Sequence, residues 1–281
     1  MKETAYLFQA SLLCLWWVGL AVSPVFFAAF QFEGITGVSF WSFFAADIIF
    51  LVLLSIIRAY FINVLIEFMI LGAFGYATVY CWNASLLTSS GYMSSGVMTL
   101  GFAYNVFLCF GSTLFRNSSS GLAWNSVKTV VQIICIWILA LIVFPYFLLD
   151  AFDATVMPSL GMKFMFAVIL FLCASLLGLT SAYFMVRDGD GTPLPLDQTN
   201  KLVVCGPYRY VRNPMAIAGI VQGIAVAVAF ASIAIFVYSI LGALVWHLVV
   251  KPVEERNMLE RFGDEFAEYS EKVPCWIPRV K

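Results

Sequence analysis

Apolar runs of eighteen residues or more recur along the chain, separated by short polar stretches. Each is about long enough for a helix to cross a hydrocarbon layer of roughly 30 Å. The pattern predicts spans near residues 6–30, 40–58, 62–82, 92–115, 129–149, 164–186, 214–230 and 232–250. The last two form one apolar stretch of thirty-seven residues, 214–250, too long for a single crossing. It is expected to fold back at about Phe230 to Ser232, which returns both of its ends to one face. Beyond it, Leu259, Phe262, Phe266 and Tyr269 recur at helical spacing, with Glu255 four residues before Leu259 on the same stripe. Glu260, Asp264, Glu268 and Lys272 define the wet face. The expected fold class is all-α: a polytopic transmembrane helix bundle of about eight spans with a cytoplasmic C-terminal amphipathic helix.

Composition sharpens this picture. Of 281 residues, 62% are apolar and 11% charged, far below the roughly 25% charge of a soluble domain, so the apolar surface cannot all be hidden in a core. The first run, from Tyr6 to about Phe30, is too long for the apolar part of a cleaved signal and reads as the first span. Positive charge concentrates in cytoplasmic loops. Eight spans with both termini cytoplasmic put Lys2, Arg58, Arg116, Lys128, the four cations from Arg187 to Arg212 and the six from Lys251 to Lys281 inside, leaving Lys163 outside with Glu33, Asp150 and Asp153. A bacterial inner membrane is expected rather than the endoplasmic reticulum. The formal charge of −1 suggests no nucleic-acid partner. The seven cysteines have no metal-ligand spacing, and Cys14, Cys109, Cys135 and Cys173 sit in apolar runs as small hydrophobes, so no metal is expected.

Charge is also uneven along the chain. From residue 187 onward lie 20 of the 31 charged groups, and chemistry is expected there. Among the first four spans the exceptions are Asp47, Arg58 and Glu67; Arg58 and Glu67 are within reach of a structural ion pair, and Asp47 has no assigned role. The segment from Arg187 to Asn213, with the turn-rich Asp188-Gly189-Asp190-Gly191-Thr192-Pro193-Leu194-Pro195, exceeds an ordinary connection and is expected to be functional.

Two pieces flank the terminal hairpin. The first is Gly206-Pro207-Tyr208-Arg209-Tyr210-Val211-Arg212-Asn213-Pro214. Pro214 suits the first turn of a helix, and Asn213 is placed to cap it. The second is Lys251-Pro252-Val253-Glu254-Glu255-Arg256, two acids in a helix's first turn. Glu255, on the stripe that faces protein or membrane, needs a partner, and a cationic or polyhydroxylated ligand supplies one. Arg256 is four residues before Glu260, the spacing of a solvated pair. His247, the single histidine, sits one turn before Lys251 and reads equally as a ligand contact or a satisfied polar residue. Gly219 and Gly223 make a GxxxG that suggests close helix contact.

GPYRYVRNP, a hydrophobic hairpin, EERNMLERFG, Tyr269 and VPCWIPR, over roughly residues 187–281, together resemble the C-terminal signature of the isoprenylcysteine carboxyl methyltransferase family and its bacterial relatives. The resemblance implies an S-adenosyl-L-methionine-dependent methyltransferase whose cofactor lies between the loop before the hairpin and the helix after it, while a lipidic or prenylated acceptor arrives from the bilayer. Membrane lipids are then its partners. Carried over, it implies that Gly206, Pro207, Tyr208, Arg212, Asn213 and Pro214 shape one wall of the cofactor pocket and Glu254 or Glu255 the other; His247, by its place one turn before Lys251, is a candidate to meet the cofactor or to act as a base toward an amine or thiol acceptor. Where this chain has Arg212-Asn213-Pro214, many members read Arg-His-Pro, which leaves hydrogen bonding but no proton transfer at Asn213. For a carboxylate acceptor, displacement at the sulfonium methyl needs mainly in-line placement. Arg212, Arg256 or Lys251 then orients the carboxylate, and Tyr208, Trp246 or Tyr269 faces the sulfonium. The expected function is O-methylation like that of protein-S-isoprenylcysteine. The alternatives are a phospholipid N-methyltransferase, a distantly similar nicotinamide-dependent sterol reductase, or a non-enzymatic transporter or channel. Residues 1–126 are expected to form four spans as scaffold or substrate groove, and residues 127–281 the methyltransferase core.

Overall fold

The computed structural model describes residues 2–152, 158, 161–194 and 197–278. Asp153, Pro195, Arg279 and Lys281, named above, lie outside the described residues. The chain is a polytopic helical bundle: among the described residues seven helices are long and apolar enough to cross a membrane, and Pro214–Phe230 adds a shorter apolar one. The described residues contain no strand; a single parallel β-bridge pairs Asn117 with Gln198. The chain divides into two compact units, Met1–Gly111 and Ser112–Lys281.

The first unit contains α1 (Lys2–Val22), α2 (Pro24–Phe30), α3 (Gly37–Tyr60), α4 (Val64–Thr88) and α5 (Tyr92–Leu114). The apolar run expected as one span over 6–30 is two helices. Pro24 lacks the N–H that would continue α1, and the Ser23 side chain accepts from the N–H of Phe26 at 3.2 Å to start α2. Polar side chains lock this unit from within. Glu67 takes Arg58 Nε on Oε1 at 2.8 Å and Lys2 Nζ on Oε2 at 2.7 Å. Gln9 donates to Ser55 Oγ at 2.8 Å and accepts from Asn105 Nδ2 at 2.7 Å. Asp47, which the sequence leaves without a role, accepts from Trp17 Nε1 at 3.2 Å.

The second unit contains α6 (Leu122–Ala151), α7 (Met162–Gly189), α8 (Pro214–Phe230) and α9 (Ile233–Val245). A π-helical stretch, Trp246–Val250, joins α9 to α10 (Lys251–Lys272). Along α7, Met165, Ile169, Leu172, Leu176 and Leu179 are exposed, the face a helix presents to lipid. The opposite face is built of small residues: a Cβ on Gly178 would lie 3.2 Å from Ala218 Cβ of α8, and Gln222 Nε2 donates to Ser175 Oγ at 2.9 Å. Of the GxxxG pair, Gly223 is closely approached by Ser239 of α9, whereas a Cβ on Gly219 would meet nothing within 4 Å. The hairpin turns at Ala231 (φ 49°), and Ser232 caps α9 by accepting from Ile235 N–H.

From Ile233 to Lys272 the helical run is 40 residues, about 60 Å at 1.5 Å per residue and twice a hydrocarbon layer. Every Asp, Glu, Lys and Arg in it lies at or beyond Lys251. The apolar part therefore ends at Val250, and α10 stands clear of the spanning segment. Gly263 (φ 51°, ψ −127°) kinks α10 in a conformation open to glycine alone.

Candidate functional site

Gly206 begins the site. Its φ of +58° suits glycine, and a Cβ there would lie 2.3 Å from the Phe184 ring. Pro207 then fits a single 3-10 turn, Gly206–Arg209, whose Pro207 carbonyl accepts from Tyr210 N–H at 3.1 Å. This turn drives Tyr208 inward to 4% exposure, and Tyr269 Oη donates to the Tyr208 carbonyl at 2.7 Å. Arg212 and Asn213 follow, their N–H groups donating to the carbonyls of Pro274 at 3.0 Å and Cys275 at 3.4 Å. Asn213 precedes α8, but its side chain makes no capping bond; Nδ2 instead donates to Cys275 Sγ at 3.1 Å. Pro214 is buried at the first position of α8.

The first turn of α10 faces this segment. Arg212 Nη2 lies 3.2 Å from Glu255 Oε1, and Lys251 Nζ lies 3.8 Å from Glu255 Oε2. Between the two pieces is a cleft of about 490 Å³, partly open to solvent. Tyr208, Arg212 and Asn213 line one side and Glu254 and Glu255 the other. Tyr269 and Phe266, from beyond the kink, complete the wall.

Other candidates sit elsewhere. Gly206, Pro207 and Pro214 shape the turn without lining the cleft, and Lys251 touches it through Glu255. Arg256 is exposed and away from the lining. His247 also lies off the cleft, where its Nδ1 accepts from Trp276 Nε1 at 3.0 Å.

The sequence reading missed a wall made by Met185, Thr199, Leu202, Val203 and Met258. Thr199 is held by Arg261, whose guanidinium donates to its carbonyl and, at 2.8 Å, to Gln198 Oε1. Of the stripe expected to face protein or membrane, Glu255, Phe266 and Tyr269 line the cleft, and Leu259 is 50% exposed. Glu254 and Met258, each one residue before a stripe position, line the cleft as well.

Charge in the cleft is unequal. Glu255 has two cations, whereas among the described residues Glu254 has no ion-pair partner. Burial, with the charge of Glu255 added, pushes the Glu254 carboxyl up to about 7. Burial also raises the Tyr208 phenol far above its ordinary range, and the Tyr269 phenol with it. Tyr208 Oη and Arg212 Nε, both on side chains that line the cleft, are buried without a hydrogen-bond partner, and Glu255 Oε1 meets Arg212 Nη2 in the ion pair at 3.2 Å. Unpartnered buried polar atoms are rare in native interiors. With two carboxylates, a phenol and an apolar back wall of Met258 and Phe266, they fit an amphipathic ligand bearing ammonium and hydroxyl groups.

Residues 162–265 match the model of the phospholipid methyltransferase family. The match runs from the start of α7 past the kink of α10 and contains both sides of the cleft. No curated protein matches the chain.

Proposed function

We propose, starting from a chain that carries a phospholipid methyltransferase family domain and is a membrane methyltransferase, that this cleft holds S-adenosylmethionine and that the acceptor is the amine head group of a membrane lipid. When bound, that cofactor supplies an electrophilic sulfonium methyl. Glu255, Asn213 and Tyr208 offer hydrogen bonds to its polar groups, and Phe266 and Tyr269 exclude water around it. The excess of Lys and Arg in the segments beside the cleft supports a cytoplasmic position for it.

The observation that carries the amine reading is Glu254, a cleft carboxyl with no ion-pair partner among the described residues. An ammonium has no lone pair until it loses a proton, and a carboxyl titrating near 7 is suited to take it. A carboxylate acceptor instead needs a free cation. Arg212 and Lys251 are both engaged by Glu255, and Arg256 is exposed away from the lining. The second reading, O-methylation of a prenylated carboxylate, is favoured by one feature, the unpartnered Nε of Arg212.

Incubation with methyl-labelled cofactor and native lipid extract tests the choice. Label in a base-stable amine lipid is the expected result; label released by base as volatile methanol overturns it in favour of the carboxylate. Cofactor affinity unchanged in the double variant Glu255→Ala, Asn213→Ala removes the pocket assignment.

A further inference from the structure

After Lys272 the chain leaves helical geometry at Val273 (φ −110°, ψ 120°) and forms a short strap. Its Pro274 and Cys275 carbonyls receive the N–H groups of Arg212 and Asn213, and Cys275 Sγ receives Asn213 Nδ2. Both residues line the cleft, so their backbone is set by a segment some sixty positions away. The strap is fastened at its far side by one side-chain bond, Trp276 Nε1 to His247 Nδ1 at 3.0 Å, with ring centroids 5.9 Å apart. His247 belongs to the π-helical stretch between α9 and α10, a local winding that changes which side chains point to one side.

We infer that Trp276 and His247 are positioning residues for methyl-donor binding: together they latch the strap that holds Arg212 and Asn213 in the cleft wall. Neither touches the cleft; both act through the two backbone bonds. The bond requires an unprotonated Nδ1, which places the imidazole proton on Nε2. This inference rests on the cleft being the donor site.

The test uses the full chain in lipid nanodiscs, with amide exchange at Arg212 and Asn213, calorimetric binding of S-adenosylhomocysteine, and KM and kcat. Trp276→Phe keeps the ring and removes the donor; His247→Leu removes the acceptor; His247→Asn restores an acceptor oxygen near the place of Nδ1. A single exposed hydrogen bond predicts a roughly two- to fivefold rise in exchange and in the donor's Kd and KM for Trp276→Phe and His247→Leu, with kcat within about twofold. His247→Asn should return most of the loss, and the double variant Trp276→Phe, His247→Leu should be no worse than either single one. Unchanged exchange overturns the latch. Raised exchange with unchanged KM overturns its positioning role. A wild-type protein that binds no donor overturns the proposed function, and exchange alone then decides the latch.

Discussion

Both units pack carboxylates against other side chains, buried in the first and half-buried in the second, and the two settings differ. In the first, Glu67 has both oxygens engaged, by Arg58 and by Lys2. In the second, Glu254 lines a cleft and has no ion-pair partner among the described residues, while Glu255 beside it has Arg212 and Lys251. A closed ion cluster orders helices because each charge removed from water is compensated within the protein. An open one leaves the compensation to a ligand. A paired carboxylate thus marks rigidity in one unit, and in the other the unpaired Glu254 is the one the proposed function uses.

Replacing the two acids separates these roles most strongly. Glu67→Ala strands the buried Arg58 and should destabilise by about 3–5 kcal/mol, read as a large drop in thermal midpoint and in folded yield. Glu254→Gln should leave the midpoint unchanged or raised, since it removes a carboxylate that burial disfavours, while slowing amine methylation by roughly a hundredfold or more. Equal effects on midpoint from the two would break the contrast. Gly206→Ala should cost about 1–3 kcal/mol through its left-handed φ and the Phe184 ring, and should weaken donor binding because Tyr208 is displaced. The smallest effect is that of pH. A base with a raised pKa works when deprotonated, so the rate should climb from pH 6 to 8 with an inflection near 7 and flatten in Glu254→Gln. An inflection retained in that variant assigns the titration elsewhere.

Much of this was legible in the chain. Apolar run lengths and cation placement gave the bundle, the hairpin at Ala231 and the two pieces beside it, because lipid forbids unsatisfied backbone and so ties helix length to composition. The Arg58–Glu67 pair was legible for the same reason, two opposite charges near each other in otherwise uncharged helices. The break at Pro24 was legible only in hindsight: hydropathy does not register a missing N–H. In α10 the periodic stripe carries Glu255, Phe266 and Tyr269 to the cleft, and it leaves out Glu254 and Met258 because the cleft is wider than one row of side chains.

The cleft wall contributed by Met185, Thr199 and Val203, and the strap over Arg212 and Asn213, have no pattern in the sequence. Thr199 is held through its carbonyl by the Arg261 guanidinium and the strap by backbone bonds from Arg212 and Asn213, and a backbone N–H or carbonyl is the same in every residue that carries it. Residue types fixed which groups are able to do chemistry and which helices meet lipid. Which carboxylate is paired, and which is left facing a cavity, depends on distances of a few ångströms that only the packed structure sets.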